Sequence, residues 1–155
     1  MLARPGDMAQ PWFEDLSPGY RVVSDPRLVT QQEIVAFATL WDPQPFHLDP
    51  EAAKHSVFGQ LVGSGVHMHA LTMRLGVDCD VLCGKAELGL GLDEMRFLKP
   101  LLPDRAVTAA FTVLSARASQ SRPEHGVVAW RIELLDDAGA VIFSAILTNL
   151  YRRKP

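Results

Sequence analysis

The sequence has few of the features that mark secreted, membrane or metal-binding proteins. Its 155 residues include only two cysteines, Cys79 and Cys83, too few for a disulfide framework. They lie four residues apart with no histidine nearby, so reduced, packed thiols are a better interpretation than a metal site. No run of 18 apolar residues occurs, and the N-terminus lacks the apolar core of a signal peptide. We therefore expect a cytoplasmic protein without a membrane segment or a bound metal.

Clustered positive charge is also absent from most of the chain. The 15 Lys and Arg residues are outnumbered by 18 Asp and Glu residues, which gives a net charge of -3, and the one basic run is at residues 152–154. A solvated chain end explains that run, so we expect no nucleic-acid partner. What the sequence does contain is 48% apolar and 21% charged residues. That composition is typical of one globular domain.

The order of turns and apolar segments indicates how the domain is organised. Residues 1–11 contain Pro5, Gly6 and Pro11 without periodicity, and we expect a loose arm there. Residues 12–155 then form the domain, with Trp12 and Phe13 attaching the end of the arm to it. A first strand near residues 20–29 is expected to break at an Asp-Pro pair.

Three helices precede the remaining strands. Thr30 and Glu33 form a capping box, and apolar residues at positions 34, 37, 38 and 41 lie on one face of a helix over residues 31–40. The two prolines that follow disfavour helix at the residues before them, so Asp42 and His47 are expected on a stiff, extended loop. Asp49 is expected to cap a short helix. A mostly apolar helix, buried on most of its circumference, is predicted from Gly65 to residue 75.

The second half of the chain has the pattern of antiparallel strands. Segments rich in β-branched and aromatic residues lie at 86–92, 94–98, 106–118, 126–136 and 140–152, with turn sequences between them. A sheet with one polar face needs a helix to cover the other face. The sequence therefore predicts an α+β domain in which one bent antiparallel sheet wraps around the long helix after Gly65.

Residues 42–53, D-P-Q-P-F-H-L-D-P-E-A-A, are similar to a family motif, D-x-N-P-I-H-x-D-x-x-x-A. This is the hydratase motif of the MaoC-like dehydratases, the (R)-specific enoyl-CoA hydratases of hot-dog fold. The preceding T-x-x-E-I-x-x-F-A helix and the R-F-L-K-P segment at 96–100 also resemble that family. The resemblance covers nearly the whole chain from Trp12 onward.

The resemblance implies a single hot-dog domain and a lyase that adds water reversibly across the C2–C3 double bond of an enoyl-CoA. It implies that Asp42 and His47 are catalytic, with His47 taking the proton of a water that Asp42 also holds. The Gly65 backbone N–H, at a helix N-terminus, would stabilise the thioester oxyanion. The resemblance also implies a homodimer or higher oligomer, an acyl-CoA or acyl-carrier-protein substrate, and no metal or redox cofactor.

Several positions depart from the family pattern. Trp41 replaces a small residue, Gln44 replaces an asparagine, Ser64 replaces a frequent histidine, and Met73 replaces a serine of the core helix. With Phe46, the residues Ser64, Trp41 and Met73 are the candidates for substrate binding. These changes leave the catalytic pair intact and alter the acyl pocket.

Other interpretations remain open from the sequence. Asp42 could merely end a helix, and Ser64 is better interpreted as a helix cap than as a nucleophile. His67 and His69 project about 200° apart on a helix, so packing is expected rather than a shared metal. A hot-dog thioesterase would place a carboxylate on the core helix, and residues 65–76 contain none. A non-catalytic acyl-CoA-binding module is the other alternative, which retention of Asp42 and His47 disfavours.

Overall fold

The computed structural model describes residues 10–155, so the expected arm at 1–11 falls almost wholly outside the described residues. The domain begins with a 3-10 turn, Phe13–Asp15, whose first side chain packs against Gly126. The Nζ of Lys85 lies 4.5 Å from the ring centroid of Trp12. Both aromatic side chains therefore pack the start of the described chain against the body of the domain. No helix within residues 10–155 has the length and apolar character needed to cross a membrane.

Six antiparallel strands form one sheet in the order β1-β4-β5-β6-β3, with β2 also paired to β4. The strands are β1 (Arg21–Val23), β2 (Arg27–Val29), β3 (Ala86–Phe97), β4 (Arg105–Ala118), β5 (His125–Leu135) and β6 (Val141–Arg152). The three long C-terminal strands are confirmed. The two strands expected at 86–92 and 94–98 are instead one strand, β3, whose pairing with β6 shifts between Asp93 and Arg96. Glu94 adopts a φ of 50° inside that shift, a bulge that bends the strand without ending it.

Four α-helices complete the fold of residues 10–155: α1 (Gln31–Trp41), α2 (Pro45–Leu48), α3 (Pro50–Ala53) and α4 (Gly65–Asp78). The predicted caps are present, because Thr30, Asp49 and Ser64 each accept a hydrogen bond from a backbone N–H of the first turn. The expected extended loop is wrong at His47, which lies in α2. The segment is helical because of Pro45. Proline is favoured at the first position of a helix, where its missing backbone N–H is not needed as a hydrogen-bond donor.

The core lies between the sheet and α4, which contacts β4, β5 and β6. Its largest fully buried side chains are Trp130, Tyr151, Phe111 and Phe143. The prediction that α4 is buried on most of its circumference is too strong. One side of the helix is buried, whereas Val66 and Val77 on the other side are 55% and 44% exposed. The predicted α+β architecture, a bent antiparallel sheet covered by one long helix, is confirmed.

Strand β3 is the edge of the sheet and is exposed along its length. Its apolar side chains are nonetheless numerous. Those exposed by more than a third are Leu88, Leu90, Leu92, Met95 and Phe97. An apolar edge strand of 12 residues is unusual on a monomer, because such an edge pairs readily with another chain.

Candidate active site

His47 has a defined orientation and a defined tautomer. The side chain is 5% exposed, and its Nδ1 lies 2.7 Å from the carbonyl oxygen of Val62. A carbonyl oxygen only accepts hydrogen bonds, so Nδ1 carries the proton and donates it. In the neutral ring, Nε2 is therefore left with a lone pair, the form that can accept a proton.

The segment that holds His47 is itself fixed at several points. The Val62 N–H donates to the carbonyl oxygen of Phe46 at 3.2 Å, and the Gly63 N–H donates to that of Leu101 at 2.8 Å. The ring of Phe46 meets the imidazole of His47 edge to face, with centroids 4.6 Å apart. His47 is thus held by backbone on one side and by an aromatic ring on the other.

Asp42 lies at the end of α1 and faces the free nitrogen of His47. Its Oδ2 is 3.3 Å from His47 Nε2, and the same oxygen accepts a 2.6 Å hydrogen bond from the Ser64 hydroxyl. Its other oxygen, Oδ1, accepts a 2.7 Å hydrogen bond from Gln44 Nε2. The bonds from Ser64 and then Gln44 hold the pKa of Asp42 below its ordinary value, because they stabilise the carboxylate. Asp42 is therefore held as the anion beside the His47 imidazole.

These groups line a cavity of 440 Å³. The apolar side chains of its wall are Phe46, Phe58, Val62, Val66, Met68, Phe97 and Leu98. Among the described residues, the one cationic side chain in the wall belongs to Lys99. A few polar groups in the wall of an otherwise apolar cavity are the arrangement expected of a small-molecule site.

Gly65 begins α4 at the wall of this cavity. A Cβ at this position would lie 2.7 Å from Cε1 of Phe97, so the aromatic ring rests directly on the glycine backbone. As the first residue of the helix, Gly65 has an N–H that no carbonyl of α4 accepts. A bare backbone donor at a helix N-terminus is thus present where the sequence predicted one.

The structure brings together five of the seven predicted site residues and separates two. Asp42, Phe46, His47, Ser64 and Gly65 all line the cavity.

Trp41 and Met73 do not line it. The Trp41 side chain is 69% exposed on α1, and Met73 packs on the core from the middle of α4. Their predicted substrate-binding role therefore has no support from the cavity within one protomer. Trp41 ends α1 directly before Asp42, and a side chain one position away on a helix projects about 100° from its neighbour.

Two residues, Val62 and Gln44, contribute contacts to the site that the sequence did not predict. Val62 contributes through its backbone carbonyl, for which no sequence signal exists. Gln44 stood out as a departure from the family asparagine, but its hydrogen bond to Asp42 was not predicted.

Two further histidines, His67 and His69, lie outside the wall of this cavity. His67 stacks on Phe37 with centroids 4.3 Å apart, and its Nε2 lies 3.6 Å from Glu33. Burial lowers the pKa of His67 despite that carboxylate, and burial also lowers the pKa of His69. Packing roles fit both residues. Within residues 10–155, no cluster of three His, Cys, Asp or Glu side chains suitable for a metal is found.

A family model described as "MaoC like domain" matches residues 16–132. The chain belongs to the MaoC-like domain family. Among solved structures, a MaoC-like dehydratase from Rhodospirillum rubrum is 37% identical, with a TM-score of 0.88 over 94% of this chain and 99% of that one. An (R)-hydratase from A. caviae involved in PHA biosynthesis gives a TM-score of 0.70 at 24% identity, over 92% and 99% of the two chains. The fold of this MaoC-like chain is accordingly the hot-dog fold.

Relatives matched by sequence place the MaoC-like domain in proteins of different lengths. The uncharacterized protein YdeM of Bacillus subtilis is 26% identical over 126 residues, 81% of this chain and 87% of that protein. A mesaconyl-CoA hydratase of Haloarcula hispanica is 32% identical over 89 residues, which are 56% of this chain and 25% of the hydratase. This MaoC-like chain thus spans a quarter of that enzyme. Membership of a family of hydratases and dehydratases supports an activity of the hydro-lyase kind.

Proposed function

We propose that this protein is a hydratase that adds water reversibly across the C2–C3 double bond of an enoyl-CoA, giving the (R)-3-hydroxyacyl thioester. The observation that carries the proposal is the pair formed by Asp42 and His47. Their facing atoms are two acceptors, Oδ2 and the lone pair of Nε2, which lie 3.3 Å apart in the wall of a largely apolar cavity. Two acceptors so placed suit a water molecule, which can donate one hydrogen to each.

The proposed reaction begins with this water. As its oxygen attacks C3, its proton passes to His47 Nε2, and Asp42 stabilises the imidazolium that forms. Electron density moves from the double bond to the thioester oxygen. When that electron density returns to C2, C2 takes the proton back from His47 and a C–H bond forms. The net result is addition of H to C2 and OH to C3. The steps involve no change of oxidation state that would call for a redox cofactor.

The N-terminus of α4 suits the charge that develops on the substrate. The Gly65 N–H is directed away from the helix body, and the partial positive charge of a helix N-terminus stabilises an oxyanion. A side chain here would displace the Phe97 ring that rests on Gly65. The apolar walls formed by Phe46, Phe58 and Met68 suit an uncharged acyl chain.

Strand β3 supports a homodimer as the working form. Its outer edge pairs with no other strand among residues 10–155, and its apolar side chains are exposed. A second copy placed edge to edge would cover them and continue the sheet. Because Phe97, at the end of β3, also lines the cavity, the partner would lie close to the site.

The test is a survey of enoyl-CoA thioesters of graded chain length. Hydration of each is monitored as a decrease in the absorbance of the conjugated thioester. We expect hydration by the wild-type protein, an (R) product on chiral analysis, and loss of activity in His47→Ala. The matched control is His55→Ala, which removes an exposed imidazole. Release of free CoA thiol would instead indicate a thioesterase, and binding without turnover would indicate a non-catalytic module.

A further inference from the structure

Ser64 makes two hydrogen bonds through one hydroxyl group. Its Oγ accepts from the Val66 N–H at 3.2 Å and lies 2.6 Å from Asp42 Oδ2. The Val66 N–H supplies the proton of the first bond and the carboxylate has none to give, so the Ser64 proton points at Asp42. Ser64 is fully buried. In the folded protein its hydroxyl is therefore not in contact with bulk water.

The two bonds form a chain from the helix to the reacting atoms. The Val66 N–H belongs to the first turn of α4, where the positive end of the helix dipole lies. A hydroxyl that accepts a hydrogen bond becomes a stronger donor, because the two bonds polarise each other. The carboxylate oxygen that receives the bond is the one facing His47 Nε2.

We propose that Ser64 is a positioning residue that fixes the Asp42 carboxylate and connects it to the N-terminus of α4. The proposal rests on the hydratase function and adds the residue that orients its acidic partner. With Gln44 on the other oxygen, neither carboxylate oxygen can rotate away from the shared water. The hydroxyl also favours the ionised form of Asp42, so the proton released by the water goes to His47 and not to Asp42.

The expected variants separate this role from helix capping. Ser64→Gly removes the donor but keeps a residue that is tolerated at the cap, whereas Ser64→Ala loses the donor and the cap together. We expect both to lower kcat by about 10- to 100-fold, the range for one hydrogen bond to a charged group, with KM little changed. Ser64→Thr, which keeps a hydroxyl, should restore most of the activity. Thr30→Ala is the matched control, because it removes the cap of α1 without touching Asp42.

A second measurement does not depend on activity. Besides Asp42, the titratable groups of the described residues that line the cavity are His47 and Lys99. Carbon-13 NMR of labelled aspartate, with the Asp42 signal assigned by its loss in Asp42→Asn, should give a higher pKa for Asp42 in Ser64→Gly than in wild type.

The outcomes distinguish the two proposals. An unchanged Asp42 pKa together with an unchanged kcat in Ser64→Gly would overturn the role of Ser64. Equal losses of activity in Ser64→Ala and Thr30→Ala would also overturn it, since capping alone would then explain the effect. A raised Asp42 pKa in a protein without hydratase activity would leave the positioning role in place and refute the hydratase function.

Discussion

Replacing Asp42 by asparagine tests the proposed chemistry with almost no change in shape. The amide keeps an oxygen for the hydrogen bond from Gln44, so the fold should persist. What is lost is the negative charge beside His47 when the imidazolium forms. For unit charges 3.3 Å apart, Coulomb's law with an effective dielectric constant of about 20 gives about 5 kcal/mol.

That energy sets the size of the expected effect. At about 1.4 kcal/mol for each factor of ten, the full term corresponds to between 10³- and 10⁴-fold in rate, and screening by water reduces it. We therefore expect Asp42→Asn to lower kcat by about 10²- to 10⁴-fold, as is usual for loss of general acid–base assistance. The assay is steady-state hydration of crotonyl-CoA or a longer enoyl-CoA, with circular dichroism to verify folding.

Two comparisons make the result decisive. Asp49→Asn is the same chemical change at the cap of α3, outside the cavity, and asparagine caps helices as well as aspartate does. It should retain activity. The double variant Asp42→Asn with His47→Ala should lose little more than the worse single variant, because groups that act as a unit are not additive. Full activity in Asp42→Asn would refute the reasoning and reduce this residue to the end of a helix.

Three further predictions concern packing, assembly and pH. Gly76→Ala should lower the free energy of unfolding by about 1–3 kcal/mol in urea denaturation, because the new Cβ would lie 2.5 Å from Leu82. Leu90→Glu should shift the species seen by light scattering from dimer to monomer, since it places a charge at the middle of the exposed edge of β3. Burial holds the pKa of His69 below its ordinary 6.5. As the pH falls, the unfolded chain therefore binds a proton at His69 before the folded protein does. Stability should fall as the pH drops below 6.5, and less so in His69→Phe.

Each of these predictions has its own control. Ala70→Gly, at an exposed position of α4, measures the intrinsic difference between alanine and glycine in this helix, which alone would favour alanine by about 1 kcal/mol. A stabilising Gly76→Ala would therefore contradict the packing at that site. Leu28→Glu changes an exposed leucine on β2 and should leave the dimer intact. His55→Gln should leave the slope of stability against pH as in wild type, and an equal slope in His69→Phe would contradict the argument from burial.

The helices and strands followed from local signals, while the site needed contacts between distant segments. Helix α1 was predictable because its cap, its apolar face and its terminating proline all agree. Helix α4 was predictable in position but not in burial, because its apolar residues Val66 and Val77 face outward in the protomer. Apolar patterning tells which residues avoid water and does not tell whether the same chain or another copy covers them.

That Asp42 and His47 lie together was predictable from the family motif, but the contacts that hold them were not. The proline before Phe46 was interpreted as favouring extended chain, although proline suits the first turn of a helix equally well. The hydrogen bond from Ser64 to Asp42 joins residues 22 positions apart. The sequence predicted that Ser64 caps α4, because capping depends on neighbouring residues. It did not predict the hydrogen bond to Asp42, because that bond depends on the packing of α1 against α4.

Val62 links the orientation of His47 to the stability of the surrounding segment. Its N–H donates to Phe46 and its carbonyl oxygen accepts from His47, so separating α2 from this segment would break both bonds in one event. Deuterium exchange at the Val62 amide then reports how often His47 loses its orientation, without any substrate present. The free energy of that opening limits the fraction of molecules competent at any moment. Variants that accelerate exchange of the Val62 amide should lose activity in proportion to the fraction of molecules in which this segment has separated from α2.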